Sequence, residues 1–182
     1  MTETKKDPGT ATLVVVLFLI CLVTSLLLGL TNEVTAPFIE ANNWKTTQEA
    51  MNAVLPADEY TDVTADYAGG DATVEAVYQA GDAGYVVQVS PPTSFSGNLT
   101  IMVGVDSSYA CTGISVTSPG ETSGLGSNAS RPSFADQFIG KTGTVAVTKD
   151  GGDINAITGA TITSRAVCDG VNAAISAVGT LG

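Results

Sequence analysis

The chain has 182 residues with seven basic and eighteen acidic side chains, a formal net charge of −11, and no histidine. So negative a surface argues against a nucleic-acid partner, which needs a basic footprint, and the missing imidazole removes the commonest side chain of triads, acid–base pairs and zinc sites. Any redox or transfer chemistry is therefore expected from a cofactor rather than from side chains alone.

Residues 1–10 form a short N-terminus, and residues 11–31 are expected to form a transmembrane helix. Ala11 to Leu30 carry no charge, and at about 1.5 Å per residue such a run matches a hydrocarbon core of about 30 Å. A cleaved signal peptide has a shorter apolar core of about 7–15 residues, so the segment reads as a retained anchor. Lys5 and Lys6 precede it, whereas Glu33 and Glu40 follow it before the first basic residue, Lys45. The positive-inside rule then puts the N-terminus in the cytoplasm and everything after the helix on the outer, extracellular or periplasmic, face.

Residues 32–70 read as a connector: Asn32 to Pro37 is a short link, and Asn43 to Leu55 is an amphipathic helix with Met51, Val54 and Leu55 on its apolar side, ended by Pro56. Ala57 to Asp71 follows as a polar loop. Residues 71–182 hold the main domain, for which glycine-rich, aromatic-poor composition points to α+β. Thr73 to Gln79 and Tyr85 to Val89 alternate as strands across the turn at 81–84. Asn98 to Val105 and Gly113 to Thr117 extend them to a four-stranded antiparallel meander flanked by helices. The loop Ser118 to Ser127 is glycine-rich and opens onto a short helix from Arg131 to Ile139. Thr142 to Thr148 reads as another strand, Ile154 to Ile157 as a short apolar run, and Thr161 or Ile162 to Val178 as a closing helix with Val167, Val171, Ala174 and Val178 on one face. Cys111 and Cys168 could in principle meet, although each sits in an apolar stretch where a cysteine commonly acts as a small hydrophobe.

The sharpest chemical feature is Thr158-Gly159-Ala160-Thr161-Ile162-Thr163-Ser164. A strand end, a flexible Gly-Ala step and hydroxyl residues opening a helix together make an anion site, because helix N-termini present N–H groups and a positive dipole end. A helix cap would explain the same residues with no ligand at all. Ahead of it lies Glu121-Thr122-Ser123-Gly124-Leu125-Gly126, which by itself could be an ordinary glycine-rich turn.

The two stretches resemble the flavin-attachment sequence and the Glu-Thr-Pro-Gly-Leu-Gly loop of the FMN-binding domain shared by the G subunit of Rnf complexes and the C subunit of sodium-pumping NADH:quinone oxidoreductases. Thr35-Ala36-Pro37 and Phe134 to Lys141 are also similar to that family. Ser123 stands where proline is common, and Asn155 where an aspartate is common, with Asp153 close by. The resemblance implies that a flavin transferase moves FMN from FAD onto Thr161 as a phosphoester. It also implies that Thr158, Gly159, Ala160, Thr163 and Ser164 surround the attachment point, and that Glu121, Thr122, Gly124, Leu125 and Gly126 line the ring. With no long insertion between anchor and motifs, the chain is more similar to the Rnf G subunit. That resemblance implies a non-autonomous redox subunit of an ion-translocating ferredoxin:NAD oxidoreductase, whose partners are other membrane and cytoplasmic subunits, among them a second FMN-bearing membrane subunit and iron–sulfur subunits. The alternatives are the quinone-reductase C subunit and a single-pass surface module whose glycine-rich loop binds a protein or glycan.

Overall fold

The computed structural model describes residues 9–95, 99–118 and 126–181. Its first helix, α1, runs Thr10–Val54. The apolar stretch is long and hydrophobic enough to cross a membrane, and its large apolar side chains from Leu13 to Leu30 are all exposed. Inside a protein such a surface would be buried; in a bilayer it meets lipid.

Where the sequence suggested a link at Asn32 to Pro37 and a separate helix after it, α1 includes Pro37. A proline removes one backbone donor and strains the preceding turn without forbidding helix on both sides. Nearby, the Thr31 and Thr35 hydroxyls donate to the carbonyls of Leu27 and Thr31 at 2.8 and 2.7 Å.

The compact unit of residues 46–182 is built on a sheet of β1 (Thr61–Asp62), β2 (Val74–Gln79), β3 (Gly84–Val89), β4 (Thr100–Asp106) and β5 (Cys111–Ser118), in that order. Every neighbouring pair is antiparallel. The expected four-stranded meander is present as β2 to β5, and the two-residue β1 extends it from within the segment read as a polar loop.

Both faces of the sheet are covered, which is why β3 and β4 read as almost continuous apolar runs. Val77, Val87, Val89, Ile101 and Val103 point into one core with Val167, Val171 and Ala174 of α3 (Thr161–Leu181). Tyr78, Val86 and Met102 point the other way, against Ala50, Met51, Val54 and Leu55 at the end of α1. Thr112 Oγ1 donates to the Val54 carbonyl at 2.5 Å. At Gly104 a β-carbon would collide with that same carbonyl and with Thr112, so glycine is what lets the end of α1 rest on β4 and β5.

The region after β5 contains a short 3-10 turn, Gly126–Ser130, then α2 (Pro132–Ala135) and a 3-10 turn, Asp136–Phe138. The expected helix from Arg131 to Ile139 is thus split in two. The expected strand Thr142 to Thr148 does not form. Val147 makes one isolated bridge to Ile154, and Thr148–Asp150 is a 3-10 turn closed by Gly151 at φ 88°. Left-handed backbone at Gly143 and Gly151 interrupts the extended conformation that a ladder needs. Cys111 and Cys168 are buried and free, with burial pushing their thiol pKa values up to about 11 and about 12.

Candidate functional site

Positioning of the hydroxyl-rich motif begins at the sheet edge. The first residue of β5, Cys111, donates from its N–H to the Lys141 carbonyl at 2.8 Å and accepts from Gly140 N–H at 2.7 Å, which fixes the chain just after the Asp136–Phe138 turn. From that turn Gln137 reaches Asn155: its Oε1 accepts from Asn155 N–H at 2.8 Å, and its Nε2 donates to the Asn155 carbonyl at 3.3 Å. One side-chain amide therefore satisfies both backbone groups of one residue, as a neighbouring strand would. Asn172 of α3 does the same for buried Val145, accepting from its N–H at 2.7 Å and donating to its carbonyl at 2.9 Å.

Beyond Asn155 the chain enters a tight turn. Ala160 N–H donates to the Ile157 carbonyl at 3.0 Å, and Gly159 sits at φ 80°. That value belongs to the third residue of a type II turn and is costly for anything with a β-carbon. The buried Ser164 completes the turn: its hydroxyl accepts from Ile157 N–H at 2.9 Å and donates to the Ala160 carbonyl at 2.9 Å. Ser164 N–H donates to the same carbonyl at 3.0 Å, so Ala160 is the residue on which α3 opens.

The residues singled out from sequence fall into three groups. Thr158 and Gly159 are exposed and Thr161 is half-buried at the first position of α3, with Ile162 exposed beside it. Ala160, Thr163 and Ser164 are buried, and the Ser164 hydroxyl is committed to the chain's own backbone. Gly126 is buried at the start of its 3-10 turn, which packs against α3, so the end of the glycine-rich loop is anchored on the helix that carries Thr161. Glu121, Thr122, Gly124 and Leu125 lie outside the described residues.

Charge around the motif is paired. Arg165 grips Asp150 through two hydrogen bonds, Nε to Oδ2 at 2.6 Å and Nη2 to Oδ1 at 2.7 Å; these hold the Asp150 carboxyl below its ordinary pKa and raise that of Arg165. Lys141 pairs with Asp153, whose carboxyl is lowered chiefly by that hydrogen bond. Asp153, the nearest acidic residue ahead of the motif in sequence, is thus paired with a lysine. Among the described residues no cluster of side chains could hold a metal ion.

The donor set suits a phosphate ester. Ala160 has no side-chain oxygen with which to cap α3, and no group among the described residues accepts from the N–H of Thr161 or Ile162. Those N–H groups, at the positive end of a 21-residue helix, are free to face an anion at the start of α3. Gln137 and Asn172 were not legible as site-building residues. Gln137 lies in a stretch that resembles the family, but nothing in a sequence marks a side-chain amide as the partner of a backbone 18 or 27 residues away.

Comparisons with known proteins point to one family. A family model described as FMN-binding domain matches residues 94–176, a span that includes β4, β5 and the whole Thr158 to Ser164 motif. The chain is 34% identical over 181 residues to the G subunit of the Na(+)-translocating ferredoxin:NAD(+) oxidoreductase complex of Acetobacterium woodii, covering 88% of this chain and 87% of that one. It is 31% identical to the G subunit of the ion-translocating oxidoreductase complex of Methanosarcina acetivorans, covering 91% and 92%. It is likewise 31% identical to the G subunit of the proton-translocating ferredoxin:NAD(+) oxidoreductase complex of Clostridium ljungdahlii, covering 88% and 86%.

Proposed function

Because the chain belongs to the family of G subunits of ion-translocating oxidoreductase complexes, and is thereby a membrane-anchored electron-transfer subunit with an FMN-binding domain, we propose that it holds one FMN as a phosphoester of Thr161. The observation that carries the reading is the placement of Thr161. It is a half-buried hydroxyl on the first residue of α3, beside helix N–H groups with no acceptor among the described residues and behind a turn fixed from both sides.

The attachment step balances without any other residue changing state. Thr161 Oγ takes the FMN phosphoryl group of FAD: the new O–P bond replaces the P–O bond of the pyrophosphate, AMP leaves, and the hydroxyl proton passes to solvent. A flavin transferase would supply FAD and catalysis. Once attached, the flavin provides one- and two-electron chemistry. The protein's part is to keep the phosphate on the α3 N-terminus and leave the ring accessible from the surface. Thr122 and Leu125 are the residues we place against the ring, on the likeness of their stretch to the family's Glu-Thr-Pro-Gly-Leu-Gly loop.

Electrons would be relayed among membrane and cytoplasmic subunits of an Rnf-type complex, including a second FMN-bearing membrane subunit and iron–sulfur subunits. The names of the relatives carry Na+ in one case and protons in another, so membership of the family does not fix the coupling ion. The lysines before α1 orient the flavin domain to the outer face; maleimide labelling of a cysteine placed at Gly182 from the outside supports this orientation, and labelling only from the cytoplasm overturns it.

The central test uses full-length protein made in cells that possess the transferase. A fluorescent band surviving denaturing electrophoresis is expected, absent in Thr161→Val and retained in Leu125→Ala with an altered flavin spectrum. An intact mass equal to the bare polypeptide sinks the proposal.

A further inference from the structure

We propose that Ser164 and Gln137 are positioning residues that make Thr161, rather than the neighbouring Thr158, the hydroxyl that receives the flavin. The inference rests on the reading of Thr161 as the attachment point and concerns what selects it. Of the three threonines in the motif Thr163 is buried, and the other two lie three residues apart, the more exposed being Thr158. Accessibility alone would favour the wrong one.

The backbone around them supplies the discrimination. Gln137 holds Asn155 by both its N–H and its carbonyl, fixing where the turn begins. Ser164 spans the turn itself, accepting from Ile157 N–H and donating to the Ala160 carbonyl, so the Thr158-Gly159 pair is bracketed by one buried hydroxyl. The Ala160 carbonyl receives both the hydroxyl and the N–H of Ser164, which locks the direction in which the chain enters α3. Thr161 is thereby held at the first helical position, where a phosphoester on its oxygen meets N–H groups. Thr158 is held at the second residue of the turn, with no helix end before it.

Neither residue touches the flavin in this scheme. Ser164 is fully buried, and its hydroxyl is already engaged as donor and acceptor. Its replacement should therefore alter which threonine is modified, and how fast, without altering the ring's surroundings. A misplaced acceptor oxygen is a strong lever on transfer rate, because a displacement of about 1 Å can cost up to about a hundredfold.

The test compares wild type, Ser164→Ala and Ser164→Thr, which keeps a hydroxyl. Full-length proteins are incubated with flavin transferase and FAD. Peptide mapping by mass spectrometry reads the modified residue, initial rates are measured, and far-ultraviolet circular dichroism checks the fold. We expect Ser164→Ala to be flavinylated about tenfold more slowly, with part of the flavin on Thr158, and Ser164→Thr to return the modification to Thr161. Flavinylation of folded Ser164→Ala at the wild-type rate and on Thr161 alone overturns the inference. Should Ser164→Ala fail to fold, Gln137→Ala, changed near the surface at the other end of the clamp, is read by the same two criteria, and wild-type behaviour overturns the inference equally. Wild type that takes no flavin under these conditions instead sinks the reading of Thr161 on which the inference rests.

Discussion

The meander β2 to β5 and the segment from residue 142 to residue 160 are held in opposite ways. In the meander each strand pairs with its neighbours through a backbone ladder, with residues such as Val87 in register with both Val77 and Val103. Its order is a property of main-chain groups plus a two-sided apolar core. The later segment bonds through its main chain largely to itself, at the Val147 to Ile154 bridge and in the turns around it, and its ties to other elements run chiefly through side chains: Asn172 on Val145, Gln137 on Asn155, Ser164 on Ile157 and Ala160. A ladder tolerates substitution at single positions because its bonds do not involve side chains. A segment tethered by side chains can be set, and unset, one residue at a time, as the proposed role of Thr161 as an acceptor would require.

The largest separation between the two regions should come from Ile101→Ala set against Asn172→Ala. Ile101 is fully buried in the core beneath α3 and lies close to Gly170, so truncation should lower global stability by about 2–5 kcal/mol in denaturant unfolding. Asn172→Ala strands the N–H and carbonyl of buried Val145, with an expected cost of about 1–3 kcal/mol. That cost should fall mainly on the local segment. Amide exchange should therefore quicken across residues 142–160 while β3 and β4 stay protected. If Asn172→Ala accelerates exchange equally in the meander, the two regions open as one unit and the distinction fails.

That difference also explains what could be read from the sequence. The long apolar helix was legible from its uncharged run, and β2 to β4 because their alternation and the turn residues at 81–84 agree. The closing helix was legible to within one residue at its start, since Thr161 follows a Gly-Ala step and precedes an apolar stripe, but it runs on to Leu181 rather than ending at Val178. Thr142 to Thr148 misled because Val145 and Val147 alternate as a strand would. Both are indeed buried, but one is satisfied by a side-chain amide rather than by a ladder, and side-chain bonds to distant backbone leave no period in the sequence. β1 was missed because two residues cannot display one. Of the site, the residues proposed to hold the flavin were singled out through their likeness to a family, whereas Gln137 and Asn172 emerged only from geometry.

The smallest effect expected is that of acid, and it tests the same contrast from its electrostatic side. Asp150 and Asp153 are held below the ordinary carboxylate range by hydrogen bonds from Arg165 and Lys141, and both pairs brace the side-chain-tethered segment. A carboxyl whose folded pKa is depressed contributes stability that is fully present above its unfolded value and is lost as pH falls through the folded one. The braces should therefore hold at neutral pH and loosen only below about pH 4. Both pairs are substantially solvent-exposed, so the change should be modest and should shrink as salt rises from about 0.15 M to about 1 M, where screening shortens to about 3 Å. In the sheet the comparable group is Asp62, lowered by hydrogen bonds from Thr64 at the β1 edge, away from β3 and β4. Amide exchange followed from pH 6 to pH 3, corrected for intrinsic rates, should thus accelerate around residues 147–160 and near β1 before it does in β3 and β4. Simultaneous loss in all three would mean that the ion pairs brace the whole domain rather than the segment that presents Thr161.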